Sequence, residues 1–359
     1  MFKKLYQKSA AHDLPPYDPG THYLEVSRSK YFRELVILRH HVKMASDCYW
    51  SKMQNAYNVD LFMLTPSVSS PMGPGSDSEG IEIKFGNLRT HLVDSSQFGF
   101  EPLLMNDIEK VYCYLPSMRG ENPDKRHLNQ FFHCEAEIKG TLKDLKPQVE
   151  GYVKYLAKTL LSQKPILKLI STDLNVTVQK LKNILRVRNF SEIEFDEAIR
   201  LLQKNGFNCH INTTSHGKDI SSHGELELMK ILKTETPVWI NGYDRDRVAF
   251  YQKPCADNPN KVINSDLIFP PILDCSFGGE IAGAGQRQDN ADEILESIRR
   301  QGILSEPYEW YINLRRQKNY STTSGFGLGI ERFLAWSLNR DDIKDLIVYP
   351  RLKNIITYP

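Results

Sequence analysis

The sequence predicts an α+β domain, and three observations carry the prediction. Runs with β character occupy both ends of the chain, and a long stretch with helical spacing lies between them. The connections among the first strands are too short for crossover helices, so those strands pair antiparallel.

Each element has its own warrant. Residues 1–27 carry PPYDPGTH and read as an irregular arm, which places a boundary near residue 28. From Ser29 to about Ala56 apolar residues recur at helical spacing: Phe32, Leu35, Val36, Leu38, Val42 and Ala45. A short strand then runs into a turn rich in Pro, Gly and Ser, TPSVSSPMGPGSDSEG. Four β-type runs follow, IEIKFG, THLVDSS, KVYCYLPS and QFFHCEAEI, the last two joined by the polar loop MRGENPDKRHLN. Residues from about 144 to 215 are largely helical, and DEAIRLLQKNG ends on a glycine stop. Strands resume at PVWING, RVAFYQK and FGGEIAGAGQR. ADEILESIRRQG is a helix, and the Gly-rich strand SGFGLGI feeds the last one, ERFLAWSLNR.

Composition narrows the function classes. Apolar residues make up 40% of the chain and charged residues 25%, the balance of a globular domain with a real core. No apolar run approaches the ~18 residues that span a bilayer, and MFKKLYQKSAAHDLPP has no secretory apolar region, so no membrane partner is expected. Six scattered cysteines, Cys48, Cys113, Cys134, Cys209, Cys255 and Cys275, include no CxxC pair. That excludes a zinc ribbon or disulfide framework and points to a reducing cytoplasm. The formal charge of +2 is not that of a chain basic all over, and leaves room for a local basic patch.

Three clusters carry chemistry. Arg119-Gly-Glu121, with Lys125, Arg126, His127 and Phe131, puts cations, an acid and an aromatic on one hairpin. A guanidinium can pair with phosphate oxygens and an aromatic face can stack on a base. Taken alone, a hairpin tip facing water is the plainer account. GGEIAGAGQR (278–287) lets the backbone approach a ligand, with Glu280 and Arg287 to hold charged groups; tight packing explains it equally well. It is neither a Walker A loop nor a dinucleotide fingerprint. In GFGLGIERF (325–333), alternate glycines leave a flat ligand room on a strand, and Arg332 opens a helix whose positive end favours phosphate.

In this order the clusters resemble the three signature motifs of class II aminoacyl-tRNA synthetases, nearest the asparaginyl branch of the aspartate-like subgroup. Motif 1 is the first long helix and the strand ending at Thr65-Pro66. Motif 2 is YLPSMRGENPDKRHLNQFFHCEAEI, and motif 3 is SGFGLGIERFLAWSLNRDDIKDLIVYPR. THLVDSSQFGFEPLL, KDISSHGELEL, PVWINGYDRDRVAFYQKP, SDLIF and YEWYINLRR follow the family in order. The resemblance implies a catalytic domain over 29–359, built as an antiparallel sheet flanked by helices, with a helical insertion between motifs 2 and 3.

Residue roles follow from the resemblance. Arg119 contacts the ATP α-phosphate, Glu121 the adenine edge and Phe131 its ring, while His127 and Arg332 hold the outer phosphates. Glu280, with Asp266 or Asp274, binds Mg²⁺. Gln97, Glu135 and Arg287 line the amino-acid pocket. Phe100 stands where the aspartate enzymes carry a lysine, and Glu135 where they tend to have Asp, which leans towards an amide substrate. Motif 1 implies a homodimer.

Three departures bear on function. About 28 residues precede motif 1, where the tRNA ligases carry an anticodon-reading OB-fold. The connection from Asp266 to Glu280 is longer than the family's, which leaves Asp266 or Asp274 for the metal, and Thr322, Thr323 and Ser324 stand where a histidine precedes the motif 3 glycines; Met118 in place of a phenylalanine is a packing change. The expectation is therefore a ligase that makes an aminoacyl adenylate from asparagine, a close analogue or aspartate, and passes it to a small non-tRNA acceptor such as ammonia. A truncated asparagine–tRNA ligase is the alternative, and a non-catalytic binding or regulatory protein the second.

Overall fold

The structure is a computed structural model that describes residues 13–69, 78–273 and 276–359. Asp274 and most of the Pro-, Gly- and Ser-rich turn (70–77) lie outside the described residues. The arm contributes a short helix, α1 (His22–Arg28), where the sequence suggested irregular chain. Seven residues, about two turns, are too few for a periodic pattern to register. Tertiary contacts hold it: His22 is buried and its Nε2 lies 2.6 Å from the Val348 carbonyl. The long first helix is α2 (Lys30–Asp47), continued by a π-helical turn at Cys48–Met53.

Next come β1 (Tyr57–Asn58), β2 (Leu64–Thr65), β3 (Glu82–Phe85), β4 (Leu88–Leu92), α3 (Glu101–Leu104), β5 (Lys110–Met118) and β6 (Gln130–Lys139). The middle of the chain gives α4 (Leu142–Ser162), α5 (Lys164–Ile170), α6 (Leu174–Arg186), β7 (Ser191–Glu194) and α7 (Phe195–Lys204). It goes on to β8 (Ile211–Thr214), β9 (Gly217–Ile220), α8 (Ser222–Leu232) and β10 (Val238–Asn241). The last part holds β11 (Asn264–Phe269), β12 (Gly279–Gln286), α9 (Ala291–Arg300), α10 (Glu309–Leu314), β13 (Thr323–Gly329) and α11 (Ile330–Leu338).

The main sheet runs β1-β5-β6-β13-β12-β11-β10-β7. Its inner pairings are antiparallel, as short connections require; both outermost pairs, β1/β5 and β10/β7, are parallel. Their partners are far apart in sequence, which local pattern cannot show. The same is true of the helical stretch: it contains β7, which joins the sheet edge. RVAFYQK forms no strand, only isolated bridges such as Gln252 to Arg287. Its aromatic run instead packs Phe250 and Tyr251 against Phe98, Tyr308 and Tyr311.

Side-chain alternation divides the central strands into two faces. Cys134, Ala136 and Ile138 of β6, Ala282 and Ala284 of β12, and Phe326 and Leu328 of β13 join the main core. There they meet α4, which buries Leu145, Val149, Tyr152, Val153, Leu156 and Leu160 completely. Each such aliphatic side chain contributes about 1.5–3 kcal/mol by leaving water. The opposite face carries His133, Glu135 and Glu137 of β6 beside Gly283, Gly285, Gly325 and Gly327. This polar, glycine-rich face is where the cavities lie.

Candidate active site

The β5–β6 hairpin ends in a loop held by its own polar side chains. Asn129 Nδ2 donates to the carbonyls of Arg119 (2.8 Å) and Glu121 (2.7 Å). The Asp124 carboxylate accepts from the backbone N–H of Arg126 (2.7 Å) and of His127 (2.8 Å), with the His127 ring 2.9 Å away. Pinned in this way, the loop leans over the sheet and closes a cavity of about 730 Å³. Arg119, Glu121, His127, Phe131, Glu280 and Arg332 all line it. The Arg119 guanidinium sits over the Phe131 ring, 5.3 Å from its centre.

β13 and α11 bring the last arginine in. Arg332 donates from Nη1 to the Glu280 carboxylate at 3.0 Å. Its neighbour Glu331 points the other way, into an ion pair with Arg39 of α2 (2.7 Å) and a bond from the Phe132 N–H (2.9 Å). Adjacent residues thus split the work: Glu331 docks the helix and Arg332 faces the cavity.

Burial pushes the Glu280 carboxyl up, but Arg332, Arg126 and Arg119 together outweigh it and hold it below the usual range. Burial, with Glu280 and Glu225 close by, pushes Asp266 well above it. Glu225, bonded to the Glu280 N–H at 2.9 Å, is pushed up to about 7, again mainly by burial. Asp266 and Glu225, raised by burial and by the charge of Glu280 beside them, form with it a carboxylate cluster that suits a hard divalent cation. Among the described residues no three His, Cys, Asp or Glu side chains make a full ligand set, so Asp266 and Glu280 could supply only part of a cation's coordination sphere. A Cβ on Gly283 would lie 3.2 Å from Asp266 and 3.6 Å from Glu280, so the glycine keeps the space between them clear.

A second cavity of about 280 Å³ adjoins the first, and both are lined by Arg119, His133, Glu280 and Gly327. Gln97, Glu135, Asp266 and Arg287 line the second. Arg287 and Glu137 form a bidentate pair, Nε to Oε1 and Nη2 to Oε2, both 2.9 Å, with almost no solvent exposure. Gln97 Nε2 adds a third bond to Glu137 at 3.1 Å. Burial pushes Glu135 up, and bonds from Ser95 and the Ser96 N–H oppose it. A Cβ on Gly325 would overlap the Glu137 carboxylate, which explains the glycine there.

A matching family model covers residues 21–353: tRNA synthetases class II (D, K and N). The chain belongs to this family of enzymes. The asparagine–tRNA ligase of Thermococcus kodakarensis is 33% identical over 273 residues, 75% of this chain and 59% of that protein. That of Mycoplasma pneumoniae is 32% identical over 307 residues, 81% of this chain and 66% of that one. The chain thus spans less than two thirds of these relatives. The asparaginyl-tRNA synthetase of Pyrococcus horikoshii, solved with asparaginyl-adenylate, superposes with a TM-score of 0.81 at 29% identity, covering 94% of this chain and 72% of that one. The relatives are tRNA ligases, which supports the tRNA acceptor over the small acceptor expected from the sequence.

Some expectations change in detail. Phe100 does not face the pocket; it is buried against Leu104, Val111 and Cys113. Within the smaller cavity Arg287 is instead balanced by Glu137, its buried bidentate partner. Thr323, in the stretch where the family has a histidine, donates to Glu137 at 2.9 Å. Among the lining residues to which the sequence assigns no role are Arg126, His133, Asp219 and Arg247. Arg126 donates to the Gly278 carbonyl and stacks 4.6 Å from Phe277. His133, Asp219 and Arg247 line both cavities. Arg126 sits in the motif 2 run of cations, a signal that was present; Asp219 and Arg247 carry none that sequence alone isolates.

Proposed function

We propose that the chain activates asparagine with ATP to form asparaginyl-adenylate and then passes the acyl group to tRNA. The observation that carries the reading is the junction of the two cavities at Arg119, with Glu280 beside it. A triphosphate bent into the larger cavity and an amino acid in the smaller one meet there. The substrate carboxylate attacks the α-phosphorus, the bond to pyrophosphate breaks, and Arg119 compensates the charge that builds on the phosphoryl oxygens. His127 and Arg332 hold the leaving phosphates, Glu121 and Phe131 the adenine. When bound, Mg²⁺ would neutralise phosphate charge, with Asp266 and Glu280 as its protein ligands. Arg287, already balanced by Glu137, suits the neutral carboxamide of asparagine better than a second carboxylate. The family's two-fold assembly through α2 and the β2 segment is part of the proposal, and the five cysteines among the described residues, all free, fit a reducing cytoplasm.

Amino-acid-dependent ATP–pyrophosphate exchange across all twenty amino acids tests the activation step. Exchange with asparagine above all others, followed by acylation of tRNA, is expected. Exchange with asparagine but transfer only to ammonia would reinstate the small acceptor. No exchange with any amino acid would overturn the activity.

A further inference from the structure

The formal charge of +2 hides a strong local imbalance. Residues 151–190 contain eight Lys and Arg against one acid, Asp173, a formal +7 that leaves the rest of the chain at −5. Structure accounts for three of these nine groups internally. Asp173 caps α6, accepting from the Val176 N–H at 3.0 Å. Lys180 is buried, bonded to Asn339 Oδ1 at 2.6 Å and to the Trp336 carbonyl. Lys154 reaches Glu150 at 3.8 Å and the Arg188 carbonyl. The other six cations, Lys158, Lys164, Lys168, Lys182, Arg186 and Arg188, are exposed, and among the described residues none is ion-paired.

These six lie on one helical layer. Lys164 and Lys168 stand four residues apart on α5, as do Lys182 and Arg186 on α6, so each pair shares a helix face. The three helices α4, α5 and α6 pack on one another. The Lys154 bond to Arg188 brings the end of α6 beside α4. The nearby carboxylates are turned elsewhere: Glu150 accepts from the Trp239 indole (3.0 Å) and the Phe190 N–H (3.1 Å), and Glu235 from Asn183 (2.7 Å).

Six unpaired cations on a rigid scaffold repel one another, and their natural complement is a row of phosphates. We infer that the α4–α6 layer is a binding face for the phosphate backbone of tRNA. It rests on the reading that tRNA is the acceptor. The layer covers the sheet face opposite the cavities, so it would grip RNA remote from the 3′ end. A membrane is the poorer complement: a helix that lies in a lipid surface needs an apolar face, and Leu185 is the only large apolar side chain exposed on this layer.

A variant with Lys164, Lys168, Lys182 and Arg186 all changed to Gln tests it. The control changes Arg200, Lys204, Arg316 and Lys318, exposed elsewhere, to Gln, removing the same charge. Binding of a tRNA(Asn) transcript is measured against salt, and asparagine-dependent pyrophosphate exchange in parallel. Both variants should keep native exchange, which reads the activation step alone. The layer variant should bind tRNA at least about tenfold more weakly than the control, with a log–log salt slope shallower by about 0.7–0.9 per lost contact. Equal losses in both variants, or native binding and slope in the layer variant, would overturn the inference. So would native protein that supports exchange but binds no transcript. Loss of binding to anionic phospholipid vesicles with tRNA binding unchanged would assign the layer to a membrane and overturn it likewise.

Discussion

At the scale of single residues, the site is a balance of guanidinium groups and carboxylates, and its members should fail differently. Arg119→Ala and Arg332→Ala remove the two proposed phosphate contacts from a solvent-reachable cavity. Each should lower pyrophosphate exchange by about a hundredfold or more, with a thermal midpoint close to native. Arg287→Ala leaves Glu137 buried without its partner, and unfolding free energy should drop by about 3–5 kcal/mol in urea titration. His133 supplies a pH test. Burial, then Arg119 and Arg332, holds its imidazole well below the ordinary 6.5. The unfolded chain takes up a proton below that value and the folded one does not. Stability is therefore full above about pH 6.5 and falls as pH drops below it. In His133→Asn the loss between about pH 7 and pH 5 should shrink, as read from denaturation midpoints. His133 escaped notice in the sequence because nothing local distinguishes it from an ordinary strand histidine; burial in the folded sheet, then Arg119 across the hairpin and Arg332 far along the chain, make it special.

Among the elements, strands with alternating glycines were the most legible. GGEIAGAGQR and SGFGLGI could be assigned as strands, because side-chain parity is a local property, whereas their glycines fitted tight packing as well as a ligand. Which strands they lie beside was not legible. Gly325 is required by Glu137 across the β6–β13 pairing, a relation between residues 188 positions apart. RVAFYQK misled because an aromatic and β-branched run favours a strand, yet its rings found a core with Phe98 and Tyr308 instead. Helix ends were easier. Asn290 caps α9 by accepting from the Asp292 and Glu293 N–H groups at 2.8 and 3.2 Å, and Asn290→Ala should cost about 1 kcal/mol in thermal or urea denaturation.

For the whole molecule, the small sheet β2-β4-β3 stands apart from the main one. Phe85 and Leu88 face each other across its hairpin, both more than 60% exposed. Paired apolar groups in water mark an interface. We propose that the two-fold assembly also covers this pair, in which case Phe85→Glu with Leu88→Glu should shift sedimentation from dimer to monomer. A monomeric native protein would remove that part of the proposal.

The amino-acid order alone determined the family pattern and most of the helices and strands, since these depend on neighbours a few positions away. Tertiary structure decided the rest. It set which carboxylates share a space and so shift one another's protonation, and it buried Phe100 away from the pocket. It also gathered five cations on three packed helices, with Arg188 just past the end of α6, into one layer while the chain as a whole stayed nearly neutral. Electrostatic energy depends on distance in space, and sequence separation does not measure it.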